Sequence, residues 1–250
     1  MPVRDLSGRF SVLEYLSINA WVVLLPLVLL TSCTRVSPLL RQQEIAGRTG
    51  AVRVLLMPAE IELAELTAGG LTEPRADWTA AAKQQVIGAL QEELSRRNAI
   101  LVVYEPPTDP EKAYRHDQLV KLHKAVGSTI VQHKYGGREL ELPTKEGRFD
   151  WTLGPGVGIL RQEYQAEYAL FILIRDTYAS AGRVLLSLVL TGLALFPIPP
   201  GSVQQGFASL VDLGDGRILW FNRLLSYTGD LRDAEGARET ISALLADLPL

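Results

Sequence analysis

The feature that most constrains this chain is its single cysteine, Cys33, which follows an apolar run from Ala20 to Leu30. One thiol cannot form an internal disulfide or a cysteine-based metal site, so packing alone must hold the fold together. The apolar run is little more than half the roughly 20 residues that a membrane-spanning helix needs. Its length is typical of the apolar region of a secretory signal peptide, which takes about 7–15 residues.

The four residues Leu30-Thr31-Ser32-Cys33 complete this pattern. They resemble the lipobox of bacterial lipoproteins, in which small side chains before the cysteine fit the narrow active site of the signal peptidase. The resemblance implies that residues 1–32 are removed as a lipoprotein signal peptide. Cys33 would then carry diacylglycerol and fatty acid such as palmitate as the new N-terminus. Thr34, rather than an aspartate, implies sorting to the outer membrane, with the protein facing the periplasm.

The start of the chain fits this pattern less well. Arg4 and Arg9 supply the expected positive charge, but Asp5 and Glu14 offset it. An uncleaved membrane anchor and a wrongly assigned start are therefore the alternatives to a cleaved signal peptide. A lipid on Cys33 would hold the protein at a membrane without a spanning helix, since each buried methylene adds about 0.8 kcal/mol of membrane affinity.

Composition limits the partners of the chain. The formal net charge of −3 provides no basic patch, so we expect no nucleic-acid partner. An apolar fraction of 47% is sufficient for a substantial core. The predicted organisation is a signal peptide over 1–32, a lipidated tether over 33–50 and one periplasmic domain over 51–250.

Periodicity predicts alternating strands and helices in the first half of the domain. The predicted strands are 52–57, 99–104 and 128–133. The predicted helices are one capped by Asp77 or Thr79 and ending near Arg97, and one over 111–126 closed by Gly127. Residues 59–76 and 134–158 are predicted loops.

The second half is richer in strands. Strands are predicted over 168–178, 183–196, 207–213 and 217–225, with a closing helix over 234–248. The fold class is therefore α/β: a single mixed sheet with helices packed on it and a C-terminal antiparallel hairpin.

The turn Gly214-Asp215-Gly216 joins the strands of this hairpin. The segment from Ala208 to Phe221 resembles a strand–turn–strand of the TolB amino-terminal and CsgG-like lipoproteins, a superfamily that includes activators of peptidoglycan synthases. The resemblance implies the fold far more than it implies a partner. From the residues alone, we expect Asp212 to accept backbone N–H groups at the turn and Trp220 to lie in the core.

The sequence contains little that indicates catalysis. His116 and His123 are seven residues apart, whereas two zinc ligands on one helix are usually four apart, so we expect exposed or capping histidines and no metal. His133 is interpreted in the same way. The chain has no nucleophile elbow or phosphate-binding loop. We predict a protein that is not an enzyme and has no cofactor; a periplasmic hydrolase would need a pocket that gathers the histidines or carboxylates.

Two segments suggest other roles. Residues 184–196 are apolar on both faces of the predicted strand, which favours a buried central strand, or a membrane strand in a subunit of an oligomeric CsgG-like export channel. The loop over 134–158 carries Tyr135, Phe149 and Trp151, which either bind a partner or cover a sheet edge. The leading hypothesis is a lipid-anchored, non-enzymatic periplasmic adaptor or scaffold that binds another protein of the cell envelope; its oligomeric state is left open.

Overall fold

The computed structural model describes residues 35–40, 51–97, 99–193, 203–226 and 229–250. The predicted signal peptide over 1–32 and the lipidation site Cys33 lie outside the described residues. The strands are β1 Arg35–Leu40, β2 Val52–Leu56, β3 Glu60–Leu66, β4 Thr72–Pro74, β5 Ala99–Val103, β6 Tyr168–Ala179, β7 Val203–Asp212 and β8 Ile218–Ser226. The helices are α1 Ala76–Ser95, α2 Pro110–Tyr135, α3 Gly158–Tyr164, α4 Ala181–Gly192 and α5 Ala234–Leu244.

The strands form one mixed sheet of eight strands, in the order β1-β8-β7-β6-β2-β5. The pairs β1–β8, β8–β7 and β7–β6 are antiparallel, whereas β2 pairs in parallel with both β6 and β5. The β3 strand also pairs in parallel with β6, beyond β2, and β4 pairs with β3. The predicted α/β class, with a mixed sheet and a C-terminal hairpin, is confirmed.

The β6 strand is the axis of the sheet. Its first residues pair with β2 and its later residues with β3, while β7 runs along its other side. Both faces of β6 are buried, because Leu170 and Ile172 point into one core and Ala169 and Phe171 into the other. Such two-sided burial explains the nearly continuous apolar run of this strand.

Helices cover both faces. Buried residues of α1 and α5, among them Val86 and Ile241, belong to the first core. Those of α2 and α3, among them Ile130 and Leu160, belong to the second. The predicted four-residue stripe of α1 is confirmed, since Ala82, Val86, Leu90 and Leu94 are all buried.

The predicted caps of α1 are wrong. Arg75 occupies the N-cap position without a side-chain cap, and both Asp77 and Thr79 lie inside the helix. The hydroxyl of Thr79 instead accepts a hydrogen bond from the backbone N–H of Leu63 at 3.0 Å. This residue therefore ties α1 to β3 rather than starting the helix.

Three further local predictions are wrong. The loop predicted over 59–76 contains β3 and β4, because Ile61 and Leu63 alternate with glutamates as in a half-buried strand. The strand predicted over 128–133 is the continuation of α2. Gly127 does not end that helix; a side chain there would lie 2.1 Å from the ring of Phe207, so glycine permits close packing on the sheet.

Part of the segment predicted as a tether forms a strand. Residues Arg35–Leu40 form β1, which pairs with β8 from Arg35 opposite Leu225 to Leu40 opposite Trp220. Polar and proline-containing sequence can form a strand at the edge of a sheet, where one side needs no partner. The folded sheet therefore begins within the segment predicted as a tether.

The predicted hairpin is confirmed. The β7 and β8 strands pair antiparallel, and the Oδ1 atom of Asp212 accepts the backbone N–H of Gly214 at 2.7 Å. Gly216 has a φ of +82°, a conformation that favours glycine. Trp220 is fully buried in the first core, as expected.

Replacing the central apolar side chain Leu170 with alanine should strongly destabilise the domain. This leucine is fully buried on the axis strand, and such a cavity costs about 2–5 kcal/mol. Leu71→Ala is the matched control because Leu71 is 67% exposed, and it should change stability by less than about 0.5 kcal/mol. Denaturant unfolding measures both; equal effects would contradict the assignment of β6 as the axis of the core.

Candidate functional site

His123 is the first candidate for chemistry, because it contacts a serine. Its Nε2 atom lies 2.6 Å from the hydroxyl of Ser209, and its ring stacks on Phe171 with centroids 4.6 Å apart. Burial lowers the pKa of His123 to about 3, so the ring is neutral at physiological pH. Both partners are buried, which closes this pair to any substrate. The pair joins α2 to β7, and the expectation of an exposed His123 is wrong.

His116 is also buried, again contrary to expectation. Its Nδ1 atom lies 3.3 Å from the hydroxyl of Tyr104, and its Nε2 atom lies 3.1 Å from a carboxylate oxygen of Glu163. Lys112 also pairs with Glu163, at 2.8 Å. Burial lowers the pKa of His116, although Glu163 acts in the opposite direction. These contacts fasten the start of α2 to α3 near the first residues of β6.

The described ranges contain no group of three or more histidine, cysteine, aspartate or glutamate side chains that could hold a metal ion. A surface groove of about 460 Å³ lies between α2 and strands β6 to β8. Arg175 and Arg223 line it together with apolar side chains, and neither buried histidine does. The groove therefore does not bring the Ser209–His123 pair to the surface.

The three aromatic residues predicted to bind a partner lie on one face of the sheet. Tyr135, Phe149 and Trp151 are each partly exposed and pack against the second core. The Tyr135 and Phe149 rings lie 6.4 and 6.5 Å from that of Phe221. The backbone carbonyl of Trp151 accepts the N–H of Ile218 at 2.9 Å. The loop thus covers the start of β8, and binding of a partner by its aromatic side chains stays a prediction.

Helix α4 is the most unusual element of the structure, and it overturns the strand predicted over 183–196. Ser180 caps its start by accepting the backbone N–H of Arg183 at 3.1 Å. Four leucines follow within the helix, and leucine has a high helix propensity. A segment that is apolar around most of its circumference shows no clear period, so alternation could not separate strand from helix here.

The polarity of α4 is inverted relative to an ordinary surface helix. Its buried residue is Ser187, at 8% exposure, with Arg183 and Leu190 half-buried beside it. The apolar side chains point outward. We call these the exposed face of α4: Val184, Leu185, Leu186, Leu188, Val189 and Leu193.

The exposed face of α4 is broad as well as apolar. At 3.6 residues per turn these side chains span about 200° of the helix. Leu188 is 67% and Leu185 63% exposed. Burying such a side chain stabilises a protein by about 1.5–3 kcal/mol, so leaving several in water forgoes a large free energy. An apolar surface of this kind marks a binding site for a protein or a membrane. In the sequence, these residues were predicted to form the two apolar faces of a strand.

The sheet places α4 at the same end as the start of β1. Across the strands, Arg35 lies opposite Leu225, Leu225 opposite Gln205, and Gln205 opposite Arg175. The β6 strand ends four residues later, at Ala179, and α4 follows directly. The β3–β4 turn reaches this end too, since a side chain at Gly182 would meet Ala68 at 3.5 Å.

A buried polar network supports this end of the sheet. Tyr178 and Gln204 donate hydrogen bonds to one oxygen of Asp176, at 2.6 and 2.9 Å. Thr240 donates to Gln204 at 2.9 Å, and the N–H of Leu231 donates to the hydroxyl of Tyr178 at 2.9 Å. The network joins β6, β7 and α5, so the base of α4 is rigidly held.

The described part of the chain contains no helix long and apolar enough to cross a membrane. No family model matches this chain, and no curated protein does either.

Solved structures similar to the chain include the PelC dodecamer from Paraburkholderia phytofirmans. A single-substitution variant of PelC has 12% identity and a TM-score of 0.37, covering 87% of this chain and 99% of PelC. A second PelC structure has 11% identity and a TM-score of 0.34, covering 86% and 98%. Lipoprotein GNA1162 from Neisseria meningitidis has 14% identity and a TM-score of 0.30, covering 79% and 97%. These TM-scores are too low to assign a function or a family. Membership of the TolB and CsgG-like superfamily therefore stays a prediction.

Asp176→Asn should change how stability depends on pH. Burial raises the pKa of Asp176, with Asp230 adding to the rise, while the hydrogen bonds from Tyr178 and Gln204 lower it. The folded state therefore binds this proton more tightly than the unfolded state. The stabilisation is complete below the ordinary pKa of aspartate and is lost as the pH rises through the folded pKa.

The asparagine variant keeps an oxygen for both donors but cannot titrate. Lowering the pH from about 7 to about 4, the ordinary pKa of aspartate, should therefore stabilise the natural protein relative to Asp176→Asn. Denaturant unfolding at both pH values measures the difference. A constant difference between the two proteins would show that Asp176 does not titrate in this range.

Proposed function

We propose that this chain is a lipid-anchored, non-enzymatic adaptor or scaffold of the bacterial cell envelope that binds another envelope protein. The observation that carries the proposal is the position of β1. Arg35 begins the sheet two residues after Cys33, so the two Cα atoms are at most about 7 Å apart. A lipid on Cys33 would be joined to the sheet itself, through Thr34 alone, and not through a tether over 33–50.

Such a short connection gives the anchor a mechanical role. The β1 strand is held to β8 along its whole length, from Arg35 to Leu40. Acyl chains on Cys33 would therefore draw one particular end of the sheet to the bilayer, whereas a flexible tether would leave the domain free to turn. A domain that is held in this way is suited to presenting a surface to a second protein at a fixed height.

The proposal that the chain is not an enzyme is supported by the chemistry of its buried groups. The Ser209–His123 pair is enclosed in the second core, and the pKa of His123 is too low for a base at neutral pH. His116 is likewise enclosed, between Tyr104 and Glu163. These groups act as cross-links between α2 and its neighbours.

The location follows from the same residues. Under this proposal Thr34 directs the protein to the outer membrane and the domain faces the periplasm. The partner surface is the loop over 134–158, where Phe149 and Trp151 remain partly exposed above β8. The partner is thus met on a face of the sheet, while the lipid is attached at its end.

The exposed face of α4 favours a second candidate function, a subunit of an oligomeric export channel. Copies of the chain could cover this face by packing against one another. Sizing by light scattering, in detergent and after removal of the lipid, separates the two functions. A ring of about eight or more copies would replace the adaptor by the channel subunit, whereas a monomer or dimer supports the adaptor.

Replacing Cys33 with alanine tests the anchor. Without the thiol no diacylglycerol can attach, so the acylated N-terminal peptide of the natural protein should be absent from Cys33→Ala when both are measured by mass spectrometry. Ser32→Ala is the matched control, because it keeps a small residue before the cysteine and should be acylated normally. A free thiol on Cys33 in the natural protein would refute the proposal.

A photoreactive amino acid tests the partner surface. Arg148 adjoins the aromatic residues of the loop, and its side chain is 64% exposed. In cells, crosslinking from position 148 should yield one specific adduct with another envelope protein. Arg96, which follows the last residue of α1 and has a side chain 61% exposed, is the matched control and should yield none. Equal crosslinking from both positions would remove the loop as the partner surface.

A further inference from the structure

The exposed face of α4 leaves large apolar side chains in contact with water, which is unfavourable. Ser187 is buried and Arg183 half-buried, whereas Leu185, Leu186 and Leu188 are exposed. We propose that α4 lies in the membrane interface, parallel to the bilayer, with its exposed face among the acyl chains. This inference rests on the proposed function, because the lipid on Cys33 determines which end of the sheet meets the membrane.

The chemistry of the segment fits lipid as the occupant. From Val184 to Phe196 the sequence contains no charged side chain. A protein partner would usually be met by a rim of polar and charged groups around an apolar centre. An uninterrupted apolar surface is better matched by the interior of a bilayer, which offers no partner for a charge.

The dimensions exclude a spanning arrangement. The α4 helix has 12 residues. At 1.5 Å per residue it is about 18 Å long, against about 30 Å for the hydrocarbon core. A short helix with a broad apolar face lies in the plane of the interface, with that face buried about 5–10 Å deep. Its opposite face carries Ser187, which is buried in the folded chain.

The position of α4 selects lipid over other occupants. Arg35 and Arg175 of β6 are separated by β8 and β7, or three strand spacings, which is about 14 Å, and β6 ends four residues further along. The acyl chains of Cys33 would enter the bilayer within about 7 Å of Arg35. A helix on the same end of the sheet is therefore brought to the lipid surface whenever the anchor is inserted.

The same end carries one more exposed leucine. Leu71, at 67% exposure, lies in the β3–β4 turn, whose Ala68 is next to Gly182 of α4. The α4 helix and this turn lie at the end of the sheet at which β1 begins. A lipid on Cys33 supplies attachment at a single point, and α4 supplies the second contact that sets the direction of the sheet relative to the bilayer.

The charge of α4 predicts which lipids it needs. Many interfacial helices bind through basic side chains and so need anionic lipids. The only charged residue of α4 is Arg183, which is half-buried. Insertion of α4 should therefore depend on apolar contact alone, and vesicles of neutral phosphatidylcholine should suffice.

A cysteine probe tests the inference in the intact, lipidated protein. Acylation converts the Cys33 thiol to a thioether, so an introduced cysteine becomes the one reactive thiol of the chain. Leu188→Cys places a polarity-sensitive fluorophore on the exposed face of α4. Tyr114→Cys is the matched control, because Tyr114 is 63% exposed and lies on α2, near the first residues of β6. Both labelled proteins are reconstituted in phosphatidylcholine vesicles.

The expected result is that brominated phosphatidylcholine quenches the probe at position 188, while aqueous iodide quenches it several-fold less than the probe at position 114. Iodide quenching that is equal at the two positions would overturn the inference. A probe at position 188 that is shielded from iodide but not quenched by brominated lipid would also overturn it, since protein then covers α4. Leu185→Cys, at another position 63% exposed, repeats the test if the first variant does not fold.

Labelling of the natural protein separates the two proposals. If its Cys33 reacts with the fluorophore, the thiol is free and the proposed lipid anchor is wrong. If Cys33 does not react and the probe at position 188 remains in water, the anchor stands and the placement of α4 is wrong. Addition of anionic phosphatidylglycerol should leave the quenching unchanged; a requirement for it would contradict insertion by apolar contact alone.

Discussion

The pairing of β6 with strands on both of its sides is the constraint on which the rest of the structure depends. The β2 and β3 strands share one side of it and β7 takes the other. Because both of its faces are buried, one strand divides the two cores and orders the helices that cover them. Different features lie at its two ends: the contacts of His116 are near its start, and α4 follows its last residue.

The exposed face of α4 is not needed to build either core. The cores are complete without the exposed face of α4, whose residues contribute to neither of them. Stability is therefore determined by residues such as Leu170 and Trp220, and Leu188 is left to another interaction. The Asp176 network holds β6, β7 and α5 together, close in the chain to the start of α4. A rigid base is what allows a short helix to determine the orientation of a whole sheet.

The sequence predicts best where burial falls on one face or one turn. The stripe of α1 and the hairpin around Gly216 are found as expected, and the continuous apolar run of β6 also marks its strand correctly. Prediction fails where a tertiary contact decides. Gly127 is required by Phe207 and does not end a helix, and His123 is buried by stacking on Phe171. Neither contact leaves a trace in the local pattern.

The failure at α4 has a different cause and bears on the candidate site. Period-based inference assumes that apolar side chains point into the protein, and α4 reverses that assumption. A helix built for lipid has the same composition as a buried strand, so only the backbone can separate them. The position of the site was likewise beyond the sequence, because nothing local shows that Arg35 and Ala179 reach the same end of one sheet. Cys33 could be singled out from the sequence as an anchor; that the anchor adjoins an outward-facing apolar helix follows only from the order of the strands.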